Sequence, residues 1–71
     1  MEKDTFIKKL GKHISEIREE KDLTQVQLAK LCKKHKQNIN RLEAGAMNPS
    51  AYYLYELSKA LKVPMSNLLD F

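Results

Sequence analysis

Residues 23–45 read LTQVQLAKLCKKHKQNINRLEAG. Thr24-Gln25-Val26-Gln27 has the form of a capping box. In such a box the Thr24 hydroxyl accepts from the Gln27 amide while the Gln27 side chain reaches back to the start of the helix. A short helix over about 24–32 follows, with Leu28, Leu31 and Cys32 and the small Ala29 on its inner face. Lys33-Lys34-His35 then breaks the apolar period and predicts a turn. The next helix, over about 36–44, turns Ile39 and Leu42 inward and stops at Gly45, where a left-handed C-cap is favoured. Two helices of about eight residues joined by about three cross steeply, so the first can brace the second. Ala29 supplies the small residue that such a crossing needs.

Outward from this stretch the chain stays helical. Phe6, Leu10, Ile14 and Ile17 recur at spacings of four, four and three, predicting a first helix from an Asp4 N-cap to about Lys21. Gly11 lies inside it, at a cost of up to ~1 kcal/mol against alanine. Asp22-Leu23 forms the turn. On the other side, Ala46 to Pro49 form a loop, and Ser50 or Asn48 caps a fourth helix with Ala51, Leu54, Leu57, Ala60 and Leu61 toward the core. Tyr53 and Tyr55 cannot both face that core. Pro64 separates a last short helix around Met65–Leu69. With no strand-like alternation anywhere, the expectation is one all-α, compact five-helix domain over 1–71.

Seventy-one residues bury only roughly 60% of the unfolded surface, so such a domain depends on tight helix packing, a staple or a partner. Cys32 is the single cysteine, which rules out an intramolecular disulfide and fits a reducing compartment. No apolar run approaches the ~20 residues of a membrane span, and MEKDTFIKK lacks a signal-peptide core. The protein is therefore expected to be soluble and cytoplasmic, with no membrane partner.

The net charge of +4 is concentrated in the middle third. Residues 1–22 balance six basic side chains against six acids, and residues 49–71 balance two against two. Residues 23–48 carry Lys30, Lys33, Lys34, Lys36 and Arg41 against Glu43 alone. A local excess of this kind is what a polyanion-binding surface needs, although a solvated basic face looks the same in charge alone. The outward side of the helix over 36–44 adds Lys36, Gln37, Asn40 and Arg41, with Asn38 at its edge. Such side chains can bond base edges: Gln and Asn to adenine, Arg and Lys to guanine.

The matches in register are Leu23-Thr24-Gln25, Leu28-Ala29, Ile39, Arg41-Leu42-Glu43, Gly45, Asn48-Pro49-Ser50 and Ala60-Leu61 followed by Val63. Together they resemble the lambda-repressor/Cro-like (XRE) helix-turn-helix family over residues ~10–69. The family usually has glycine then an apolar residue in the turn, where Lys33 and Lys34 stand here, and Ser or Thr where His35 stands. The resemblance implies a lambda-repressor-like fold and a sequence-specific regulator of transcription that binds double-stranded DNA with the third helix in the major groove.

It further implies that Gln25 holds a backbone phosphate, and that Asn48 and Tyr52 lie where the family meets neighbouring phosphates. Lys33, Lys34, His35 and Asn38 are assigned to phosphate or groove-edge contacts, and Lys36, Gln37, Asn40 and Arg41 to the bases. The same resemblance implies a structural ion pair between Arg18 and Glu43. One short helix reads DNA weakly, which favours a homodimer on a palindromic operator. Tyr55, Met65, Leu68, Leu69 and Phe71 are its candidate interface. A restriction–modification controller, a phage-type repressor and the DNA-binding part of something longer all fit.

Other chemistries find no support. Cys32, His35 and His13 do not make a zinc spacing, so no metal site is expected. There is no Gly-rich phosphate loop, carboxylate pair or Ser-His-Asp pattern, so neither an enzyme nor a cofactor is expected, and no small-molecule effector is evident. The competing reading is an antitoxin-like or scaffolding protein whose main partner is another protein.

Overall fold

A computed structural model describes residues 1–71. Its elements are α1 (Lys3–Glu20), α2 (Gln25–Leu31), α3 (Lys36–Glu43), α4 (Ala51–Leu61) and α5 (Met65–Leu68), with no strand. No helix is long and apolar enough to cross a membrane. The capping box forms: Gln27 N donates to Thr24 Oγ1 at 3.1 Å, and Thr24 N donates to Gln27 Oε1 at 2.8 Å. Ser50, not Asn48, caps α4, accepting from Tyr53 N at 3.0 Å.

Four helices end in the same way. After α1, α2, α3 and α4 one residue takes a positive φ: Asp22 (58°), Lys33 (57°), Gly45 (73°) and Lys62 (58°). In each case the next amide reaches back to a carbonyl five residues earlier: Leu23 to Arg18, Lys34 to Ala29, Ala46 to Arg41 and Val63 to Ser58. This closure satisfies helix-end carbonyls that would otherwise lack partners. Only Gly45 adopts the conformation without a Cβ penalty.

The core gathers Leu10, Ile14 and Ile17 of α1, Leu28, Ala29 and Cys32, Ile39 and Leu42 of α3, Leu54, Leu57 and Leu61 of α4, and Leu68 of α5. The helix α3 packs on α1 and α2, while α4 packs on α2 and α5. Tyr53 lies half-buried against this core and Tyr55 stays outside.

Five expectations need correction. Glu2, without a side-chain bond, stands at the N-cap of α1, and Asp4 sits in the first turn, where its charge suits the helix dipole. Ile7 is buried in place of Phe6, which is exposed. The buried Gly11 rotates the packed face of α1 toward Ile7. Leu31 is exposed, because the stripe of Leu28, Ala29 and Cys32 points away from it by ~100°. Ala51 opens α4 beyond the reach of the core and is exposed. Leu68 is fully buried under α4 and α1, so it completes this chain's own core and cannot serve an interface.

Gly11 is a packing residue. A Cβ built there would run into the carbonyl oxygen of Leu42 and lie 2.8 Å from that of Glu43, both backbone atoms of α3. Only glycine lets the two helices approach this closely.

Candidate nucleic-acid interface

The back of α3 is held at two levels. Ile39 and Leu42 are buried in the core, and Glu43 ties the end of the helix to α1. Arg18 Nε donates to Glu43 Oε2 at 2.7 Å and Arg18 Nη2 donates to Oε1 at 3.0 Å. A third nitrogen, Nη1, donates to the Leu23 carbonyl at 2.6 Å in the turn before α2. This fork uses the planar donor geometry of arginine, which lysine lacks. The hydrogen bond with Glu43 raises the pKa of Arg18 above its already high ordinary value.

Gln25 joins the same network. Its Nε2 donates to Glu43 Oε1 at 3.0 Å, and its Oε1 accepts a long bond, 3.5 Å, from Asn40 Nδ2. The family resemblance implies a phosphate contact for Gln25, and no local sequence signal reveals this link, which ties the start of α2 to both the anchored end and the outer face of α3. Gln25 is half-buried at the N-terminus of α2, beside Lys36 in a shallow cleft.

On the front of α3, Lys36, Gln37, Asn40 and Arg41 are all exposed on the side opposite Ile39 and Leu42. Asn38 is half-buried at the edge of that face. His35 begins the helix without a side-chain cap, as expected from its weak capping chemistry, and is exposed. Lys33 is exposed in the left-handed turn.

Lys34 is differently engaged. Its Nζ lies 2.7 Å from Glu56 Oε1 and 4.6 Å from the centre of the Tyr53 ring, so the side chain spans from the turn to α4. The hydrogen bond to Glu56 raises its pKa. Beneath it the Tyr53 hydroxyl is buried without a partner, and burial pushes its pKa up. Asn48 and Tyr52 are exposed on the loop before α4 and on its first turn, with Tyr52 stacked on Tyr55 at 5.9 Å. They stand on a separate element from the four side chains of α3.

Among the proposed interface residues, Tyr55, Leu69 and Phe71 are exposed and Met65 is half-buried against the core. Phe71 folds back onto Phe6 (5.3 Å between ring centres) and His13 (5.8 Å). His13 Nε2 in turn donates to the Asn67 carbonyl at 2.6 Å, clasping α5 to α1.

A helix with a fixed back and a polar front, braced across a four-residue turn, is the arrangement found in helix-turn-helix proteins. The sequence matches the family described as Helix-turn-helix over residues 14–68. Among solved structures the chain is similar to the restriction-modification controller protein C.AhdI from Aeromonas hydrophila, with a TM-score of 0.85 and 29% identity. That similarity covers 87% of this chain and 94% of the controller. No curated protein matches the sequence significantly. The chain belongs to the helix-turn-helix family of DNA-binding transcription regulators, in its lambda-repressor/Cro-like (XRE) branch.

Proposed function

We propose that the protein binds double-stranded DNA as a homodimer on a two-fold symmetric operator, with α3 in the major groove, and so controls transcription. One observation carries this reading. Lys36, Gln37, Asn40 and Arg41 all face solvent on a helix whose other side is fixed by Ile39, Leu42 and the Arg18–Glu43 fork. Long polar side chains on a rigid support are what base recognition in a groove requires.

Around them, Lys33, His35, Asn38, Asn48 and Tyr52 are the candidates for phosphate or groove-edge contacts. Gln25 adds one through the part of its side chain that stays accessible. Lys34 is the weakest of the assigned contacts, because Glu56 already neutralises it. The dimer contact is assigned to Tyr55, Leu69 and Phe71, with Met65 at its margin. The likeness to a restriction-modification controller makes control of a restriction–modification gene set the first role to test. Such a regulator acts in the cytoplasm, where its DNA lies.

The test is selection of bound duplexes from a random pool by the purified protein, repeated with Arg41→Ala. The expected product is a symmetric site whose half-sites lie about one helical turn, ~34 Å, apart. Arg41→Ala should relax selection at one or two base pairs. Affinity should fall with salt at a log–log slope near −5 if about six phosphates are contacted. Absence of any enriched sequence, together with weak salt dependence, would favour a protein-binding module instead.

A further inference from the structure

Leu31 is 57% exposed, although Leu28, Ala29 and Cys32 beside it are buried. It forms the shared wall of three adjoining grooves between α2, α4 and the end of α1. Lys21, Lys30, Lys33, Lys59 and Lys62 stand around it. The one carboxylate lining these grooves, Glu56, is neutralised by Lys34 at 2.7 Å.

These lysines cluster where α1, α2 and α4 end, and helix C-termini attract cations for their own sake. Each such terminus carries roughly half a negative charge, less than two charges between the three, against five lysines. A surplus of positive charge therefore surrounds an unburied leucine. A DNA backbone matches the charge but leaves the leucine in water. An acidic polypeptide with an apolar side chain matches both, since burying the leucine adds a gain that phosphate cannot provide.

We propose that this face docks an acidic segment of a partner protein. An apolar side chain of that segment seats against Leu31 and Ala60, and its carboxylates lie among Lys30, Lys59 and Lys62. None of Gln37, Asn40 and Arg41 lines these grooves, so the docking site is distinct from the outer face of α3. Lys33 and Tyr52, assigned above to phosphate, and Tyr55, assigned to the dimer contact, border one of these grooves. Leu31, Lys30, Lys59 and Ala60 carry no such assignment, so peptide binding is tested on the protein alone and through those four residues.

The probe is a short fluorescent peptide rich in glutamate with leucine and phenylalanine at its centre. A control peptide keeps the charges and replaces both apolar residues by serine. Anisotropy titrations should show saturable binding that weakens with salt, and at least about tenfold weaker binding for the control peptide and for Leu31→Ser. Lys30→Gln/Lys59→Gln should weaken binding while the apolar wall is intact. Helix content and duplex affinity of Leu31→Ser should match the parent, and the melting temperature should fall only slightly, because more than half of the side chain is exposed. Equal binding of both peptides, or no effect of Leu31→Ser, would overturn the proposal. So would a duplex titration whose amide shifts fall on Leu31 and Ala60, which would give this face to DNA.

Discussion

Glu43, the last residue of α3, accepts two hydrogen bonds from Arg18 of α1, of 2.7 and 3.0 Å, with side chains 6% and 12% exposed. The pair sets where α3 ends relative to α1. Removing either member strands the other charge in a nearly closed site, and the expected loss is about 3 kcal/mol for Arg18→Met or Glu43→Leu singly. The double variant should recover part of that loss, because no charge is left stranded, although the Leu23 carbonyl and the Gln25 amide lose their partners. Urea melts of the three variants check this. Single variants that melt like the parent would reduce the fork to an ordinary surface pair.

Gly11→Ala sets two effects against each other. Alanine improves helix propensity by up to ~1 kcal/mol. Against this, its Cβ would press on backbone oxygens of Leu42 and Glu43, which cannot rotate aside as a side chain would. Overpacking typically costs about 1–3 kcal/mol, so the net change should be a lower melting temperature. Thermal melts showing a stabilised variant would mean that α1 and α3 separate easily.

Lys33→Gly should separate stability from binding. Glycine removes a left-handed penalty of roughly 1–2 kcal/mol and adds roughly 0.5–1 kcal/mol of chain entropy, leaving a modest gain in stability. The lost charge should weaken binding to all DNA sequences alike and reduce the salt slope by about one. Paired melts and affinity titrations at several salt concentrations test both halves.

Cys32 has a pKa raised by burial, and its thiol donates to the Leu28 carbonyl at 3.1 Å. The folded chain therefore keeps this proton to higher pH than the unfolded chain does. Its contribution is complete below the ordinary thiol value of about 9 and is lost as pH rises through the folded value. Urea melts from pH 8 upward should show a steeper alkaline loss for the parent than for Cys32→Ala. Parallel curves would contradict it.

Much of this arrangement is legible in the residues themselves. Thr24 with Gln27, Ser50 and Gly45 each carry a local chemistry that fixes a helix end whatever surrounds it. The Arg18–Glu43 pair was accessible only through family resemblance, since no local pattern joins residues so far apart. Phe6 and Ile7 both fit the spacing of the α1 stripe, and only the contact of Gly11 with α3 decides between them. For Leu31 and Leu68 the sequence offers only hydrophobicity, which states that a side chain should be covered but not by what. Leu68 finds its cover inside this chain and Leu31 does not. The left-handed ends at Asp22 and Lys62 carry no glycine to announce them. Gln25 shows the same limit for a polar group, because its bonds to Glu43 and Asn40 arise only when α2 crosses α3.

The claim that α3 reads the major groove meets its most direct test in methylation interference on the selected duplex. Methylation of guanine N7 blocks the major-groove edge, and methylation of adenine N3 blocks the minor-groove edge. Strong loss of binding from N7 methylation within each half-site, with little effect from N3, is the predicted result. Binding indifferent to N7 methylation and abolished by N3 methylation would contradict it.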